Sequence, residues 1–397
     1  MKKSYFTQGL FNEEYVYMPA MMICKVIFIL LFLCTNVMAG GLEQQIEEIQ
    51  SNTTSAQSVF KKITKKESRF VPIGIPISNP TIGQGLAAAI LYMHPQSGKE
   101  SDAPTSMTGV FGMYTNTQSW AAGAFHDGYY LDDRIRFRVP ITHGDFNLKY
   151  YGTGADSPLR DNPIEYHAVG NLFIPRLTFE LPLDNWYLGG LYRLINIDAR
   201  FGNPAIIPDA PGLGGQQQTA GVGIVTIFDS RDSNLWPSKG NWLELTASLN
   251  GKYAGGDFDY LKTVVKWAQY FPLKDSVTLV YRIDGQFIDG DAPFWDLSRI
   301  RLRGYSSGQF LDDVALTAQA EVRWNFYDRW TALAFGGGGR IADSVSVIGS
   351  ANNNFAGGAG FRFMLVEKQK LSIGIDVAYA EDAEVSVYFQ VGDWLAN

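Results

Sequence analysis

The chain has 397 residues, a net charge of -7, 14% aromatic residues, 41 glycines and only 18% charged residues. The acidic balance argues against a nucleic-acid partner. Abundant Gly and aromatics at a mean hydropathy near zero (-0.07) suit a transmembrane barrel, in which only alternate residues meet lipid, better than a soluble enzyme.

In chain order, residues 1–20 carry Glu13, Glu14 and Pro19 and no apolar stretch. At Met21–Met22 a signal peptide begins: Lys25, an apolar run from Val26 to Cys34, then Val37-Met38-Ala39. The run is too short for a spanning helix, and the small residue at 39 suits cleavage after it. Residues 1–39 are therefore expected to be a signal-peptide region, with the true start at Met21 or Met22. Both cysteines, Cys24 and Cys34, fall inside it. Residues 40–70 show weak helical spacing at Leu42, Ile46 and Ile49, then at Val59, Phe60 and Ile63, and read as a short periplasmic segment.

Residues 71–397 are expected to form the barrel. No apolar run there is long enough for a membrane helix. Alternating segments lie between turn signals at 85–95, 105–116, 118–128, 129–140, 143–153, 165–182, 185–200, 217–230, 240–252, 257–272, 276–289, 314–326, 330–342, 354–366, 371–380 and 385–394. The fold expected is all-β, a transmembrane antiparallel β-barrel of about 16 strands in the bacterial outer membrane. Arg134, Arg136 and Arg138 share one face of their strand and form a basic stripe expected in the lumen. Pairing of that stripe with Asp and Glu across the lumen is the first reading, and an anion site the second.

The stretch 300–326, IRLRGYSSGQFLDDVALTAQAEVRWNF, organises the rest. Its first half, to Asp313, is too polar and too rich in Gly and Ser for a packed strand, so it reads as a loop. Its second half alternates, with Gln319, Glu321, Arg323 and Asn325 on one face and Ala320, Val322, Trp324 and Phe326 on the other. If the polar face lines the lumen, an arginine of the loop can fold inward and meet Glu321.

Arg303-Gly304-Tyr305, followed by Ala320-Glu321-Val322-Arg323-Trp324, resembles the inward-folded loop and following strand of the BamA/TamA-type outer-membrane proteins, the bacterial surface antigen family. Residues 73–92 resemble the family's approach to its first strand, 228–245 a characteristic hairpin with Asp229, Arg231 and Gly240, and 371–394 its last hairpin. The resemblance implies that Arg301, Arg303, Gly304 and Tyr305 form a functional loop. It also implies that Tyr388, Phe389 and Trp394 form the aromatic ending read by the assembly machinery. Many members place an Asp in the strand after the loop's strand, where it partners the loop arginine; here glycines 336–339 stand in that place, and Glu321, with Arg323 beside it, is the expected lumenal partner. Residues 40–70 leave no room for a complete POTRA domain, so a barrel-only member is expected.

By the same resemblance, the function expected is assistance in inserting or translocating proteins or lipids at the outer membrane, through a weakly paired seam between first and last strands. The alternative is a passive channel or structural barrel. Outer-membrane lipid, protein or lipid clients and a periplasmic partner are the expected partners. No enzyme activity, cofactor or metal is expected. Gly304-Tyr305-Ser306-Ser307-Gly308 matches a hydrolase elbow, but a strand rather than a helix follows, and His94, His126, His143 and His167 all precede it. The histidines lack ligand spacing, and Gly336–Gly339 lacks the Lys-Ser/Thr of a phosphate loop.

Overall fold

The computed structural model describes residues 69–95, 104–202, 214–381 and 385–395. The expectations for 1–39, and for 40–68, lie outside these. Among the described residues no helix is long and apolar enough to cross a membrane.

The chain forms β1 (Phe70–Asn79), β2 (Gly83–Met93), β3 (Met107–Thr115), β4 (Trp120–Tyr130), β5 (Ile135–Tyr150), β6 (Ile164–Phe173), β7 (Arg176–Glu180), β8 (Trp186–Phe201), β9 (Gly215–Asp229) and β10 (Gly240–Asn250). It continues through β11 (Tyr260–Lys274), β12 (Val277–Gly290), the short pair β13 (Ser298–Arg299) and β14 (Leu311–Asp312), then β15 (Val314–Tyr327), β16 (Trp330–Ala342), β17 (Asn354–Val366), β18 (Leu371–Ala380) and β19 (Ser386–Val391). All but β13 and β14 belong to one 17-stranded sheet. Neighbours in sequence pair antiparallel, as short connections favour.

β6 and β7 are two pieces of one stave. Both pair with β5 on one side and with β8 on the other. The break falls at Ile174–Pro175, opposite Pro140 of β5. A proline has no backbone donor, so two facing prolines interrupt the ladder there. The wall therefore has 16 staves built from the 17 strands.

That total agrees with the sequence reading through two offsetting differences. The strand β1 was expected to be only the approach to a first strand at 85–95; instead Phe70–Asn79 and Gly83–Met93 form a full hairpin. Conversely, the segments 129–140 and 143–153 are one strand, β5, which runs through Pro140 and Gly144. The turn before it takes Leu131, Asp132 and Asp133 into positive φ, and Arg134 lies in this turn, not on the strand's face.

Strand alternation decides the two surfaces of the wall. Leu86, Ile90, Ile224, Leu249, Phe361 and Tyr379 are each more than half exposed on the outside, whereas Val225, Val280 and Asp376 are 0% exposed on the inside. An apolar outer belt of this extent needs lipid to cover it. The connections also differ between the barrel's two ends. The end that holds Phe70 and Val391 has the brief turns 131–134, 275–276, 328–329 and 367–370 beside the longer 230–239. The other end has 151–163, 251–259, 291–313 and 343–353 beside the brief turns 80–82 and 116–119.

β1 and β19 lie side by side, but among the described residues no ladder joins them. The last ladder, β18 to β19, holds six residue pairs, from Ile373↔Val391 to Ala378↔Ser386. The seam thus lies between β1 and β19, rather than between 85–95 and 385–394.

Candidate functional site

The connection 291–313 leaves the long-loop end and folds into the lumen. Its base is tied down at Asp296. Arg193 Nη2 of β8 donates to both oxygens of that carboxylate at 2.9 Å, and Lys262 of β11 reaches it at 2.8 Å. Burial alone would push the Asp296 carboxyl up, but Lys262 and Arg193 hold it well below the usual carboxylate range. The loop then runs along β16. A Cβ on Gly339 would stand 2.9 Å from Ile300, so the last glycine of the run is where the loop lies against the wall.

Arg303 is 1% exposed. Its guanidinium spans two strands, donating from Nη2 to Glu321 Oε2 on β15 and from Nη1 to Asp376 Oδ2 on β18, each at 2.7 Å. Its plane stacks 3.4 Å from the Phe335 ring centre on β16. Glu321 also accepts from Arg323 Nε at 2.7 Å, and Arg323 Nη2 donates to Asp393 Oδ1 at 2.7 Å. Asp376 accepts two further bonds from Arg362 on β17. Arg303, Arg323 and Arg362 are thus matched by Glu321, Asp376 and Asp393. Each is nearly or wholly buried, and a buried pair persists only with such complementary, multiply bonded geometry.

Gly304 and Tyr305 bind the loop to the β17–β19 side of the seam. Gly304 has φ of +117°, and a Cβ there would lie 2.8 Å from the Ala380 Cβ, so no other residue fits without strain. Its N–H donates to the Tyr388 hydroxyl on β19 at 2.9 Å. The Tyr305 hydroxyl donates to the Phe355 carbonyl on β17 at 2.9 Å. The loop tip then meets the turn after β1, where Ser307 N–H donates to Thr81 Oγ1 at 2.8 Å. One loop therefore holds β17, β18 and β19 on one side of the seam and the β1–β2 turn on the other.

The chain after β19 also enters the lumen. Gly392 has φ of +72°, Asp393 meets Arg323, and the Leu395 carbonyl accepts from Arg282 Nη1 at 2.7 Å. Arg323 in turn stacks 4.2 Å from the ring centre of Trp236 and donates to the Pro237 carbonyl in the β9–β10 connection.

The residues singled out in the sequence fall in different places. Arg303, Gly304, Tyr305, Glu321 and Arg323 come together. Arg301 does not join them; its side chain is exposed to the lumen, and only its carbonyl is engaged, by Gln319. Arg136 and Arg138 face inward, Arg136 between Asp133 and Asp229 and Arg138 beside Asp127. Arg134 departs from that stripe, with a side chain 75% exposed and 4.0 Å from Glu180. Of the aromatic ending, Phe389 alternates outward, but Tyr388 points into the lumen and Trp394 lies beyond the end of β19, near Tyr388 and Arg303. Sequence reasoning did not place Asp376 beside Arg303, and it missed Arg362, Asp393 and Asp296. Arg362 had a usable signal, since it too sits on the polar face of an alternating strand. Thr81 and Asp393 reach the loop's network only by tertiary folding, and Asp296, inside the loop, meets Arg193 and Lys262 in the same way. His94 and His126 meet through the Thr108 hydroxyl, yet no group of three His, Cys, Asp or Glu able to hold a metal occurs among the described residues.

Three comparisons bear on this architecture. The Omp85 superfamily domain matches residues 125–377. Among solved structures, CdiB from Escherichia coli superposes with a TM-score of 0.55 at 13% identity, over 82% of this chain and 63% of that one. CdiB from Acinetobacter baumannii does so with a TM-score of 0.50 at 11% identity, over 81% of this chain and 59% of that one. At such identities the likeness is one of fold, and the chain spans less than two thirds of either protein. No curated protein matches in sequence.

Proposed function

The chain belongs to the Omp85 superfamily and is an outer-membrane β-barrel of the BamA/TamA type, and on that premise we propose that it helps insert or translocate proteins or lipids by opening between β1 and β19. No covalent step is involved. The short-turn end, which carries Phe70 and Val391, faces the periplasm, as in other outer-membrane barrels, and a periplasmic partner would meet the barrel there.

The observation that carries this reading is the chemistry of the β1 edge. Met93 N–H donates to the Arg69 carbonyl directly opposite, so odd-numbered residues of β1 form the hydrogen-bonded pairs with β2. Even-numbered residues therefore turn their backbone groups toward β19. Pro72 and Pro76 are both even. Two donors that a closing ladder would need are absent from the sequence itself, while the ladder to β2 stays unbroken. Such an edge is easily parted and can receive a client strand. The inward loop, bonded on both sides of the seam, would then act as the brace that sets how readily the seam parts. A passive channel needs an open lumen; here the loop and the chain after β19 occupy it.

The test is a panel of single-cysteine pairs across β1 and β19, made after replacing Cys24 and Cys34 with Ser. Pairs whose Cα atoms lie within about 7 Å can bridge. Oxidation is expected to abolish the in vivo role while the barrel stays folded and heat-modifiable on gels, and reduction to restore it. A locked barrel that keeps full function would replace this reading with the passive one.

A further inference from the structure

The part of the inward loop that runs along β16 carries arginines at alternate positions, Arg299, Arg301 and Arg303, with Ile300 and Leu302 between them. Ile300 and Leu302 are buried with Ala315 and Ile341 of the wall, so Arg299 and Arg301 turn the other way along this extended stretch. Arg303 meets Glu321 and Asp376. The two arginines before it meet no carboxylate among the described residues. Arg299 donates from Nη2 to the Trp295 carbonyl at 2.7 Å, and the Arg301 guanidinium has neither a hydrogen bond nor an ion pair there.

Two glutamines of the wall hold this stretch in place. Gln286 Nε2 of β12 donates to the Arg299 carbonyl at 2.9 Å, and Gln319 Nε2 of β15 donates to the Arg301 carbonyl at 3.0 Å. The backbone is thus fixed at both positions, while the Arg301 side chain stays exposed to the lumen. The charged groups near enough to act on Arg301 are Arg282, Asp284, Arg299 and Lys266. Arg282 donates to both oxygens of Asp284, each at 2.8 Å, and no bond joins that carboxylate to Arg301. Lys266 donates to Glu244 Oε1 at 3.2 Å, and an ammonium has three donors, so it can serve a further acceptor. Arg299 lies near Lys262, whose ammonium is taken up by Asp296. Like charges on a fixed backbone repel one another unless an anion lies between them, and a confined basic surface concentrates anions.

We propose that Arg299 and Arg301, together with Lys266, bind a phosphate group in the lumen, which ties the inward loop to β11. A guanidinium fork matches a pair of phosphate oxygens, and an ammonium meets them as a point charge. Phosphate presents its oxygens in several directions, which suits donors arriving from a loop and from a wall strand; a carboxylate presents two in one plane. The phosphate can be free or carried on a lipid. Nothing in the proposal depends on whether the seam opens, so the two readings can fail separately.

The experiment is a calorimetric titration of inorganic phosphate into the folded full chain in maltoside micelles at low ionic strength, where screening is least. Saturable binding of a single phosphate is expected, and chloride at matched ionic strength should give none. Arg301→Gln should weaken binding about tenfold, as the loss of one charge-assisted contact would, and Arg299→Gln about as much. Arg301→Lys should fall between, because the charge is kept and the fork is lost. The Arg301 side chain has no bonded partner to lose, so each of its variants should stay heat-modifiable. Arg134→Gln, an exposed arginine in the turn before β5, should leave the affinity unchanged. Bound phosphate should also slow amide exchange at 299–302 at constant pH. Lysophosphatidic acid and glycerol 3-phosphate separate the sources: tighter binding of the first points to a lipid-borne phosphate, and equal binding to a free one. Absence of saturable binding overturns the proposal. So does unchanged binding in Arg301→Gln, or an equal loss in Arg134→Gln, which would mark a diffuse charge effect. Binding of a hexaglutamate peptide that phosphate fails to displace would assign these cations to an acidic protein segment and equally overturn it.

Discussion

The lumen has two unlike regions on either side of the seam. Around Arg303 the wall of β15–β19 turns charged residues inward, and three buried cations meet three buried carboxylates. Around a cavity beside β1, β2 and β4 the inward residues include Ile73, Ile75, Ala87, Leu91 and Phe125, opposite Arg136, Arg138, Arg176 and Arg231 with their carboxylate partners. The matched region is rigid because each charge is held by its neighbours. The other region also pairs its cations, with Asp127, Asp133, Asp229 and Glu244, but keeps a cavity of about 390 Å³ beside an apolar wall. Close packing and open space are thus divided between the two flanks of one seam.

Removing the centre of the matched region should have the largest effect. Arg303→Ala leaves Glu321 and Asp376 buried with one cation fewer, at a cost of about 3–5 kcal/mol. Arg303→Lys should lose most of that as well, because an ammonium cannot span two strands as the planar fork does. A lowered urea midpoint for loss of heat-modifiability would show both. The double variant Arg303→Ala/Glu321→Ala is expected to be little worse than either single variant, and strictly additive effects would show that the two side chains do not interact.

Gly304→Ala should come next, at about 1–3 kcal/mol, from a strained φ together with the contact at Ala380. Ala380→Gly in the same chain should recover only the contact and not the strain. Full recovery in the same urea titration would refute the backbone argument.

A pH effect is expected at the loop's outer end. Burial first, then Asp313 and Asp343, push the Asp312 carboxyl up to about 6. A group raised above its unfolded value of about 3.9 contributes stability that is complete below that pH. The contribution is lost as pH rises through about 6. Protection factors at 311–313, corrected for the intrinsic pH dependence of amide exchange, should therefore be larger at pH 5 than at pH 7, and Asp312→Asn should remove the difference. Unchanged pH dependence in that variant would place its source elsewhere.

Arg134→Ala should have the smallest effect, within about 0.5 kcal/mol, because its side chain is exposed and only loosely placed near Glu180. Arg136→Ala, two residues on, breaks contacts to both Asp133 and Asp229 and should cost distinctly more. Equal effects would mean that the turn has no bearing on which arginines matter.

The contrast between Arg134 and Arg136 also shows what the sequence could disclose. Period-two alternation in β15 placed Glu321 and Arg323 on one face, and both point inward beside Arg303. Alternation is a local property, and it is legible wherever one face is polar and the other apolar. It failed where that contrast vanishes. β1 and β2 are apolar on both faces, and the prolines of β1 argue against a strand unless an edge is already known. It also failed where a turn of three left-handed residues moved the start of β5 past Arg134. The partners of Arg303 divide in the same way. Glu321 follows in the next strand and was legible, whereas Asp376 lies 73 residues away and becomes a neighbour only when the barrel closes.

The two prolines of β1 have a kinetic consequence as well. On the side of β1 that faces β19, Gly74 keeps its donor, but Pro72 and Pro76 on either side have none. The nearest surviving donors, Gly74 and Ser78, stand four residues apart, about 13 Å along the strand. A guest strand laid against this edge would be held at sparse points instead of along a continuous row of bonds. Residence time falls steeply with each bond omitted, since dissociation rates absorb most differences in affinity. Such an edge favours exchange over capture. It is also a poor template for uncontrolled strand growth, so the same two residues would hasten release and guard the barrel against aggregation with its own kind.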